Sequence, residues 1–451
     1  MAGIFKAYDI RGAYPSELNE EIARRIGRSF VDLLKADRIV VGKDMRLSAS
    51  SLAGAFIDGA MSAGADVADV GMTSTPQLYF AIIEGKFDGG VMVTASHLPG
   101  GINGFKLCRE KAIPLSGDRG LPELKRLVNE GAAGVGSGKG LYRTADFLDA
   151  YIERLARSVH DPKPLKIVVD AGNGMAGPEV FRLFERVPVW NLIPMYMDPD
   201  GSFPHHIANP LLVSATKDLQ LRVVSEKADL GVAFDGDADR CGFIDEKGER
   251  IPEDLVTGLI AEFFLSKHPG AGIVYDLRSS RAVPEAIAAH DGKALRSRVG
   301  HSFIKEIMRE TGAVFGGELS GHYYYRDMGI TDNALFTMIQ VLNDLSTNEM
   351  PISVALGPLR KYSSTGEINL QVGDSRAIYA ALETKYGDAR MDHLDGLTVQ
   401  FDAWWFNLRA SNTEPLMRLN LEADEAALRD EKKEEVLGII RQADPSAAVQ
   451  N

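Results

Sequence analysis

The sequence predicts a multidomain α/β protein, and three observations lead to this prediction. From Asn19 onward, short apolar runs of strand length alternate with segments of helical periodicity. The chain has 451 residues, which favours about three or four domains because a single hydrophobic core rarely serves so long a chain. Toward the end of the chain the pattern changes to aromatic and β-branched strands followed by a helix, which indicates a smaller α+β domain.

The first helix and strand are predicted close to the start of the chain. Ile22, Ile26 and Phe30 recur at helical spacing, and Asn19 precedes two acidic residues as an N-cap. The β-branched run 39–41 then predicts a strand that ends in a polar loop.

A strand that breaks into a polar loop recurs further along the chain. Strands are predicted at 165–170 and 272–276, and apolar runs also precede three polar loops, at 91–93 before Ser96, 231–234 before Asp235 and 313–315 before Glu318. We therefore expect one α/β module used three times, with the loops at strand ends supplying the chemistry. Strand-like residues at 397–406 and a helix at 425–442 form the predicted fourth domain.

The expected domains are 1–145, 146–250, 251–362 and 363–451, with joins near Ala145, Ile251 and Tyr362. The Gly-rich stretch 131–140 is expected to be a surface loop. It resembles a nucleotide phosphate loop only superficially, because Gly140 stands where the magnesium-binding hydroxyl is required.

Charge and composition exclude several classes of protein. The formal net charge of -13 disfavours non-specific binding to nucleic acid or to an anionic membrane. The most apolar segment, 255–265, is too short and too polar to span a bilayer and is expected to be a core helix. The start of the chain does not have the pattern of a secretory signal, so we expect a cytoplasmic protein. Cys108 and Cys241 lack metal-site spacing and are expected to be ordinary thiols.

The segment DGDADR at 235–240 carries the sharpest chemical signal. Asp235, Asp237 and Asp239 alternate with the smallest residues, so that three carboxylates can converge on one hard cation, for which Mg²⁺ fits best. A helix–loop–helix calcium site fits less well because Arg240 occupies the position that requires glycine. A solvated acidic turn is the alternative.

A serine loop at 94–106 is the second candidate. Ser96 follows a predicted strand beside three glycines and can present its hydroxyl to a phosphorus atom, while Lys106 can balance phosphate charge. We expect no hydrolase-type pair between Ser96 and His97, because adjacent side chains point in different directions. Ser96 taken alone is also compatible with a simple turn.

Two further loops suit a sugar phosphate. The first, 409–415, is followed by Arg418 and offers guanidiniums, hydroxyls and an amide to an anchored phosphate; a capped polar turn is its alternative. The second, 316–322, sets an acid and a hydroxyl among glycines, as suits neighbouring sugar hydroxyls or a structural hairpin. The basic residues near these loops that could concentrate positive charge are Arg11, Arg46, Arg278 and Arg298.

Six motifs in this order resemble the α-D-phosphohexomutase family, most closely its bacterial phosphomannomutases and phosphoglucomutases. They are FKAYDIRG at 5–12, the Ser96 loop, the Asp235 loop, VGH at 299–301, ELS at 318–320 and the Arg409 loop. The resemblance implies four domains around a central cleft, three of them similar mixed α/β domains and the last a smaller α+β domain. It places the phosphoserine loop, the metal loop, the sugar loop and the phosphate loop in successive domains.

The resemblance also implies a role for each candidate residue. Ser96 would be the phosphoserine and would join the three aspartates in holding Mg²⁺. The remaining residues would form the catalytic and substrate-binding surface: Arg11, Lys106, Arg240 and His301 as catalytic residues, with Tyr8, Arg278, Arg298, Glu318, Ser320, His322, Arg409, Ser411, Asn412, Thr413 and Arg418 as substrate-binding residues.

The implied activity interconverts hexose 6-phosphate and hexose 1-phosphate, with hexose 1,6-bisphosphate as intermediate and activator. The partner would be a sugar phosphate, and the protein would be a monomer or a weak homodimer. A phosphoglucosamine mutase, a metal-dependent sugar phosphatase and a non-catalytic sugar-phosphate binding protein are the alternatives. Leu98 departs from the asparagine that is common in the serine loop of the family.

Overall fold

The computed structural model describes residues 3–117, 119–131, 139–411 and 416–450. They group into two compact units. One contains Met1–Glu253 with Ser320–Ala355, and the other contains Asp254–Leu319 with Leu356–Asn451.

The first unit begins with a six-stranded mixed sheet flanked by helices. Its strands are β1 Ile10–Ala13, β2 Arg38–Lys43, β3 Asp66–Met72, β4 Gly89–Val93, β5 Ile102–Arg109 and β6 Tyr142–Thr144, and its helices are α1 Glu20–Leu34, α2 Ala49–Ser62, α3 Thr75–Glu84 and α4 Leu121–Glu130. The strand order is β1-β5-β4-β2-β3-β6. β2, β3, β4 and β6 are parallel, whereas β5 runs antiparallel to both β4 and β1. β5 therefore returns the chain past the end of β4, where the serine loop begins.

The predicted first helix and its cap are confirmed in α1. Asn19 Oδ1 accepts a hydrogen bond from the backbone amide of Ile22 at 3.1 Å. α1 packs closely on α2 because glycine lies at the contact. A Cβ on Gly27 would lie 2.1 Å from the carbonyl oxygen of Phe56, which no side chain could accommodate.

A second sheet follows in the same unit. Its strands are β7 Leu165–Asp170, β8 Trp190–Met195, β9 Leu230–Phe234, β10 Cys241–Ile244 and β11 Arg250–Ile251, in the order β11-β10-β9-β7-β8, and the helices around it are α5 Leu148–Ala156, α6 Ala176–Arg186 and α7 Lys217–Glu226. All five residues of β9 are buried. The acidic motif follows β9 directly, as predicted, so its carboxylates begin inside the protein.

The second unit continues the α/β pattern with three parallel strands. The elements are α8 Glu253–Lys267, β12 Gly272–Asp276, α9 Ala282–Ala289, β13 Lys293–Ser297, α10 His301–Thr311 and β14 Phe315–Gly317, and the strand order is β13-β12-β14. The predicted core helix at 255–265 is confirmed within α8, whose Leu255, Val256 and Ile260 are buried. Within the described ranges of the chain, no helix combines the length and apolar character that a membrane span requires.

Between β14 and the last domain, the chain adds a hairpin and helices to the first unit. These are β15 Tyr323–Tyr325, β16 Thr331–Asp332, α11 Ala334–Asn348 and α12 Ile352–Ala355. β15 and β16 pair antiparallel. The three consecutive tyrosines of β15 are fully buried.

The end of the second unit is an antiparallel sheet covered by two helices. Its elements are β17 Ser363–Gln371, α13 Ser375–Lys385, β18 Arg390–Asp392, β19 Leu397–Gln400, β20 Trp404–Ala410, β21 Met417–Ala423, α14 Ala426–Ala443 and β22 Ala448–Gln450. The strand order is β18-β19-β20-β21-β17-β22. The strand-like residues at 397–406 lie in two strands, because a turn closed by Phe401 N donating to Trp404 O at 2.9 Å reverses the chain. The predicted C-terminal helix is confirmed in α14.

Candidate active site

The serine loop places a buried hydroxyl against a carboxylate. Ser96 follows β4, is fully buried, and has a φ of 53°, a left-handed conformation that non-glycine residues seldom adopt. Its amide donates to Thr94 Oγ1 at 2.9 Å, and its Oγ donates to Asp235 Oδ2 at 2.7 Å. The loop thus brings Ser96 to the first aspartate of the acidic motif, 139 residues further along the chain.

Arg46 is buried and holds this loop through hydrogen bonds to its backbone. Its guanidinium donates hydrogen bonds of 2.6–2.8 Å to the backbone carbonyls of Ser96, Leu98, Pro99 and Ile102. Its Nε lies 3.2 Å from Asp44 Oδ2. Burial raises the pKa of Asp44 to about 6, although Arg46 and a hydrogen bond from Thr94 act in the opposite direction. Leu98 contributes its carbonyl to this network, a contact that does not depend on the side chain.

The expectation that Ser96 and His97 point apart is wrong. Ser96 Oγ lies 3.2 Å from His97 Nδ1, because the left-handed backbone at Ser96 turns the two neighbouring side chains toward each other. Burial and the positive charges of Arg240 and Arg11 hold the pKa of His97 well below its ordinary value. His97 is therefore a neutral imidazole beside the serine.

The acidic motif forms a compact carboxylate cluster. Asp235, Asp237 and Asp239 are all buried, and each places an oxygen within 4.8 Å of the others. Gly236 is required by close approach, since a Cβ there would lie 2.6 Å from the carbonyl oxygen of Ser96. Ala238 adopts a φ of 59°, and its amide donates to Asp235 O at 3.2 Å to close the turn.

Lys106, on β5, and Thr75, at the start of α3, both contact the cluster. Lys106 Nζ donates to Asp237 Oδ2 at 2.6 Å and also bonds Asp239. Thr75, the first residue of α3, donates its hydroxyl to Asp237 Oδ2 at 2.6 Å. Burial alone would lower the pKa of Lys106, but the surrounding aspartates raise it above its ordinary value.

The cluster has the donor set that a hard divalent cation prefers. Burial and the neighbouring carboxylates raise the pKa of Asp235 well above its usual range, whereas, despite burial, Lys106, His322 and Arg240 hold the pKa of Asp239 below its own. Asp237 Oδ1 is buried and accepts no hydrogen bond within the described residues. Three carboxylates, one of them with an unused buried oxygen, and one serine oxygen fit a hard divalent cation.

Arg240, His322 and Ser320 border this cluster. Arg240 Nε lies 3.7 Å from Asp235 Oδ2 and donates to His322 Nε2 at 3.2 Å. The other ring nitrogen of His322, Nδ1, lies 2.8 Å from Ser320 Oγ. Arg11 pairs with Asp9 at 2.6 Å, and its charge acts on His97.

The second unit gathers three of the predicted substrate-binding arginines. Arg278 Nη1 lies 3.0 Å, and Arg409 Nη2 lies 3.5 Å, from Glu367 Oε2, and Arg418 Nη1 lies 3.3 Å from Glu367 Oε1. Glu318 Oε1 lies 3.7 Å from Arg278 Nη2. These four predicted residues therefore share one neighbourhood, organised around a glutamate.

The remaining predicted residues are less closely grouped. Arg298 is exposed and stacks on the ring of Phe303, with its guanidinium carbon 4.2 Å from the ring centroid. His301 is the first residue of α10, and the amide of Ser411 donates to Leu416 O at 2.7 Å. Tyr8 is half-buried in a bend before β1. Asn412 and Thr413 lie outside the described residues.

Sequence reasoning missed Thr75, Asp44 and Glu367. Thr75 is the first residue of α3, and Asp44 directly follows β2. Their position as polar residues next to the end of a regular element was the signal that could have identified them. Glu367 carried no such signal, because it lies inside a strand and follows an ordinary run of small polar residues.

Four family models match the chain in succession. Those of the phosphoglucomutase/phosphomannomutase α/β/α domains I, II and III match residues 2–133, 146–248 and 252–362, and that of the C-terminal domain matches 367–438. The chain belongs to the phosphoglucomutase/phosphomannomutase family. The predicted family, the four-domain fold class and the prediction of an enzyme of the mutase type are thereby confirmed.

Relatives of this family match over nearly the whole chain. A phosphomannomutase of Salmonella montevideo is 41% identical over 449 residues, covering 97% of this chain and 98% of the relative. A protein of Xanthomonas campestris pv. campestris named "Phosphohexose mutases" is 39% identical over 444 residues, covering 97% of this chain and 99% of its own. The crystal structure of a phosphoglucomutase/phosphomannomutase family protein from Burkholderia thailandensis has a TM-score of 0.91 at 35% identity, covering 99% of this chain and 98% of the other.

Proposed function

We propose that this protein interconverts hexose 6-phosphates and hexose 1-phosphates of mannose and glucose through a phosphoserine at Ser96. The observation that carries the proposal is the 2.7 Å hydrogen bond between Ser96 Oγ and Asp235 Oδ2, inside a buried carboxylate cluster that fits a divalent cation. A serine that served only as a turn would have no need of this cluster. The family membership and the phosphomannomutase names of the relatives support the same activity.

In the proposed first step, a hydroxyl oxygen of a hexose monophosphate attacks the phosphorus of phosphoserine. The bond from phosphorus to Ser96 Oγ breaks as the new bond to the sugar oxygen forms, the sugar hydroxyl loses its proton, and Ser96 Oγ regains one. The product is a hexose 1,6-bisphosphate. After the bisphosphate turns end for end, the same exchange in reverse returns its other phosphoryl group to Ser96, so the net reaction is an isomerisation.

The residues around Ser96 supply charge and position for this transfer. Phosphoryl transfer depends mainly on alignment and on neutralising the charge of the phosphoryl oxygens. Lys106, Arg240 and Arg11 offer three positive charges within the first unit. Asp235, Asp237 and Asp239 would hold Mg²⁺ together with Ser96, and the ion would neutralise phosphoryl charge when bound.

The arginine group of the second unit would hold the phosphate that is not transferred. Guanidiniums suit this role because each presents two parallel N–H groups to an anion. Glu318 and Ser320 would bind the sugar hydroxyls O3 and O4, with His322, Tyr8, Arg298 and Ser411 as further substrate contacts and His301 as a catalytic residue. Because such contacts leave the C2 hydroxyl unread, we propose that both mannose and glucose phosphates are substrates. The cytoplasmic location, the monomer or weak homodimer and the domain boundaries stay predictions.

The substitution Ser96→Ala tests the proposal. The assay measures conversion of mannose 1-phosphate and of glucose 1-phosphate to the 6-phosphates, with a trace of the 1,6-bisphosphate present. Ser225→Ala, which changes an exposed helical serine, is the matched control. We expect Ser96→Ala to lower kcat by at least about 10³-fold with an unchanged circular dichroism spectrum, and Ser225→Ala to behave as wild type.

Two further measurements separate the alternatives. The intact mass of the wild type after incubation with the bisphosphate should rise by about 80 Da, the mass of one phosphoryl group on Ser96. Release of inorganic phosphate faster than isomer formation would indicate a phosphatase instead. Undiminished mutase activity in Ser96→Ala would contradict the proposed function.

A further inference from the structure

The carboxylate of Glu367 occupies the centre of the arginine group in the second unit. Its Oε2 lies 3.0 Å from Arg278 Nη1 and 3.5 Å from Arg409 Nη2, while its Oε1 lies 3.3 Å from Arg418 Nη1. Three guanidiniums from different elements thus converge on the two oxygens of one anion. A substrate phosphate would need N–H groups of the same arginines.

The sheet brings Glu367, Arg409 and Arg418 together. β20, β21 and β17 are adjacent in the sheet, and Arg409 and Arg418 are directly opposite each other. The register between β17 and β21 shifts between Ser364 and Glu367. An irregularity of this kind redirects side chains relative to a regular ladder, and Glu367 is the first residue after it.

The charges explain why an anion is needed here in the absence of substrate. Arg278 and Arg409 are buried, and burial together with the nearby charge of Arg278 lowers the pKa of Arg409. Arg278 also bonds Asp276 through Nε and Nη2, so its Nη1 is the edge that faces Glu367. Glu367, at 24% side-chain exposure, is the group of this cluster most accessible to solvent, so it can swing aside at lower cost than the buried arginines.

We propose that Glu367 is a resident competitor for the phosphate-binding arginines, which it occupies between substrate-binding events and which it helps to release. This inference rests on the proposed function, because a bisphosphate that turns end for end must leave the arginine group once in every cycle. An anion that returns to the guanidiniums as the phosphate departs lowers the net cost of departure. The same competition weakens ground-state binding, so Glu367 lowers the affinity for substrate and raises the turnover rate.

A purely structural role for Glu367 makes the opposite prediction. If Glu367 served only to align the arginines, its removal would scatter them and weaken phosphate binding. If it competes with phosphate, its removal strengthens binding and slows release. The sign of the change in affinity therefore distinguishes the two roles.

The substitution Glu367→Gln keeps the shape of the side chain and removes its charge. With inorganic phosphate as the probe in isothermal titration calorimetry, we expect the Kd of the full-length variant to fall about tenfold relative to wild type. In the mutase assay we expect KM and kcat to fall together, so that kcat/KM changes less than either. Glu435→Gln, which removes a carboxylate paired with Lys432 on α14, is the matched control and should change neither Kd nor KM.

A second pair of variants locates the effect and protects the test against misfolding. Glu367→Asp retains the charge on a shorter side chain, and we expect its Kd to fall about threefold. Adding Arg418→Gln to Glu367→Gln should abolish the gain, because it removes one of the three guanidiniums.

An unchanged or higher Kd in Glu367→Gln, or a gain that survives Arg418→Gln, would overturn the inference. A rise in KM would do the same. If Glu367→Gln binds phosphate more tightly than the wild type but the wild type lacks mutase activity, the proposed function fails and the competition at the arginine group stands. If the wild type is a mutase and Glu367→Gln binds phosphate no more tightly, only the present inference fails.

Discussion

Replacing Arg46 by lysine should separate the shape of its guanidinium from its charge. The guanidinium of Arg46 makes five hydrogen bonds, one to Asp44 and four to carbonyls of the serine loop. A lysine ammonium keeps the positive charge beside Asp44 but has three donors at a single nitrogen. At least two of the five acceptors must therefore lose their partner.

The expected loss of stability follows from the number of abandoned acceptors. A hydrogen bond contributes about 0.5–1.5 kcal/mol net, so two lost bonds predict a destabilisation of about 1–3 kcal/mol. A domain is stable by about 5–15 kcal/mol, so the variant should still fold at low temperature. Because the abandoned carbonyls belong to the loop that carries Ser96, we also expect the position of its Oγ to shift.

Two measurements check this prediction. The midpoint of thermal unfolding, followed by circular dichroism, should fall by about 5 °C or more in Arg46→Lys. The mutase kcat at 25 °C should fall by about 10–100-fold, because small misplacements of a reacting group have effects of this size. Arg24→Lys alters an exposed arginine paired with Glu21 and should leave both quantities unchanged.

A wild-type unfolding midpoint together with a wild-type kcat in Arg46→Lys would refute the reasoning. It would mean that the five hydrogen bonds are dispensable for holding the serine loop. A lower midpoint with unchanged kcat would show that Arg46 stabilises the loop without positioning Ser96.

Two further predictions concern the buried residues Thr75 and Glu179. Thr75→Val removes the 2.6 Å hydrogen bond to Asp237, and we expect the Mg²⁺ concentration for half-maximal activity to rise about tenfold, whereas Thr75→Ser should retain the wild-type value. Burial raises the pKa of Glu179 to about 8, so the wild type loses stability as the pH rises from about 4.5 through about 8, where the unfolded chain has already released this proton. Glu179→Gln removes this loss. The free energy of unfolding of the variant should exceed that of the wild type by an amount that grows between pH 5 and pH 9 and reaches about 1–3 kcal/mol. Parallel plots of this free energy against pH for the two proteins would contradict the pKa argument.

Local sequence was sufficient where short-range physics decides the structure. The period of Ile22, Ile26 and Phe30 and the cap at Asn19 predicted α1, and the apolar runs at 165–170 and 272–276 predicted β7 and β12 with their observed bounds. The strand-like residues at 397–406 belong to two strands, β19 and the start of β20. Both halves of that segment are apolar and aromatic, so the turn between them left little trace in the hydrophobic pattern.

The order of the motifs also indicated the family, and the alternating aspartates by themselves indicated a cation site. What the sequence could not show is which neighbours hold the reactive groups. Thr75 bonds Asp237 across 162 positions of chain, and Arg46 reaches the serine loop from 50 positions away. Arg46 and the serine loop follow the adjacent parallel strands β2 and β4, whereas Thr75 and Asp237 follow strands of two different sheets, and no local pattern encodes either contact.

The left-handed backbone of Ser96 illustrates the same division. Sequence predicted a reactive serine after a strand, but expected its neighbour His97 to point elsewhere. Tertiary contacts decided otherwise, since the hydrogen bonds of Arg46 hold the loop carbonyls and compel the chain into a conformation that a free serine would seldom adopt. The residue types of the site were therefore determined by the sequence, whereas their positions and the competition at Glu367 were decided by packing between distant segments.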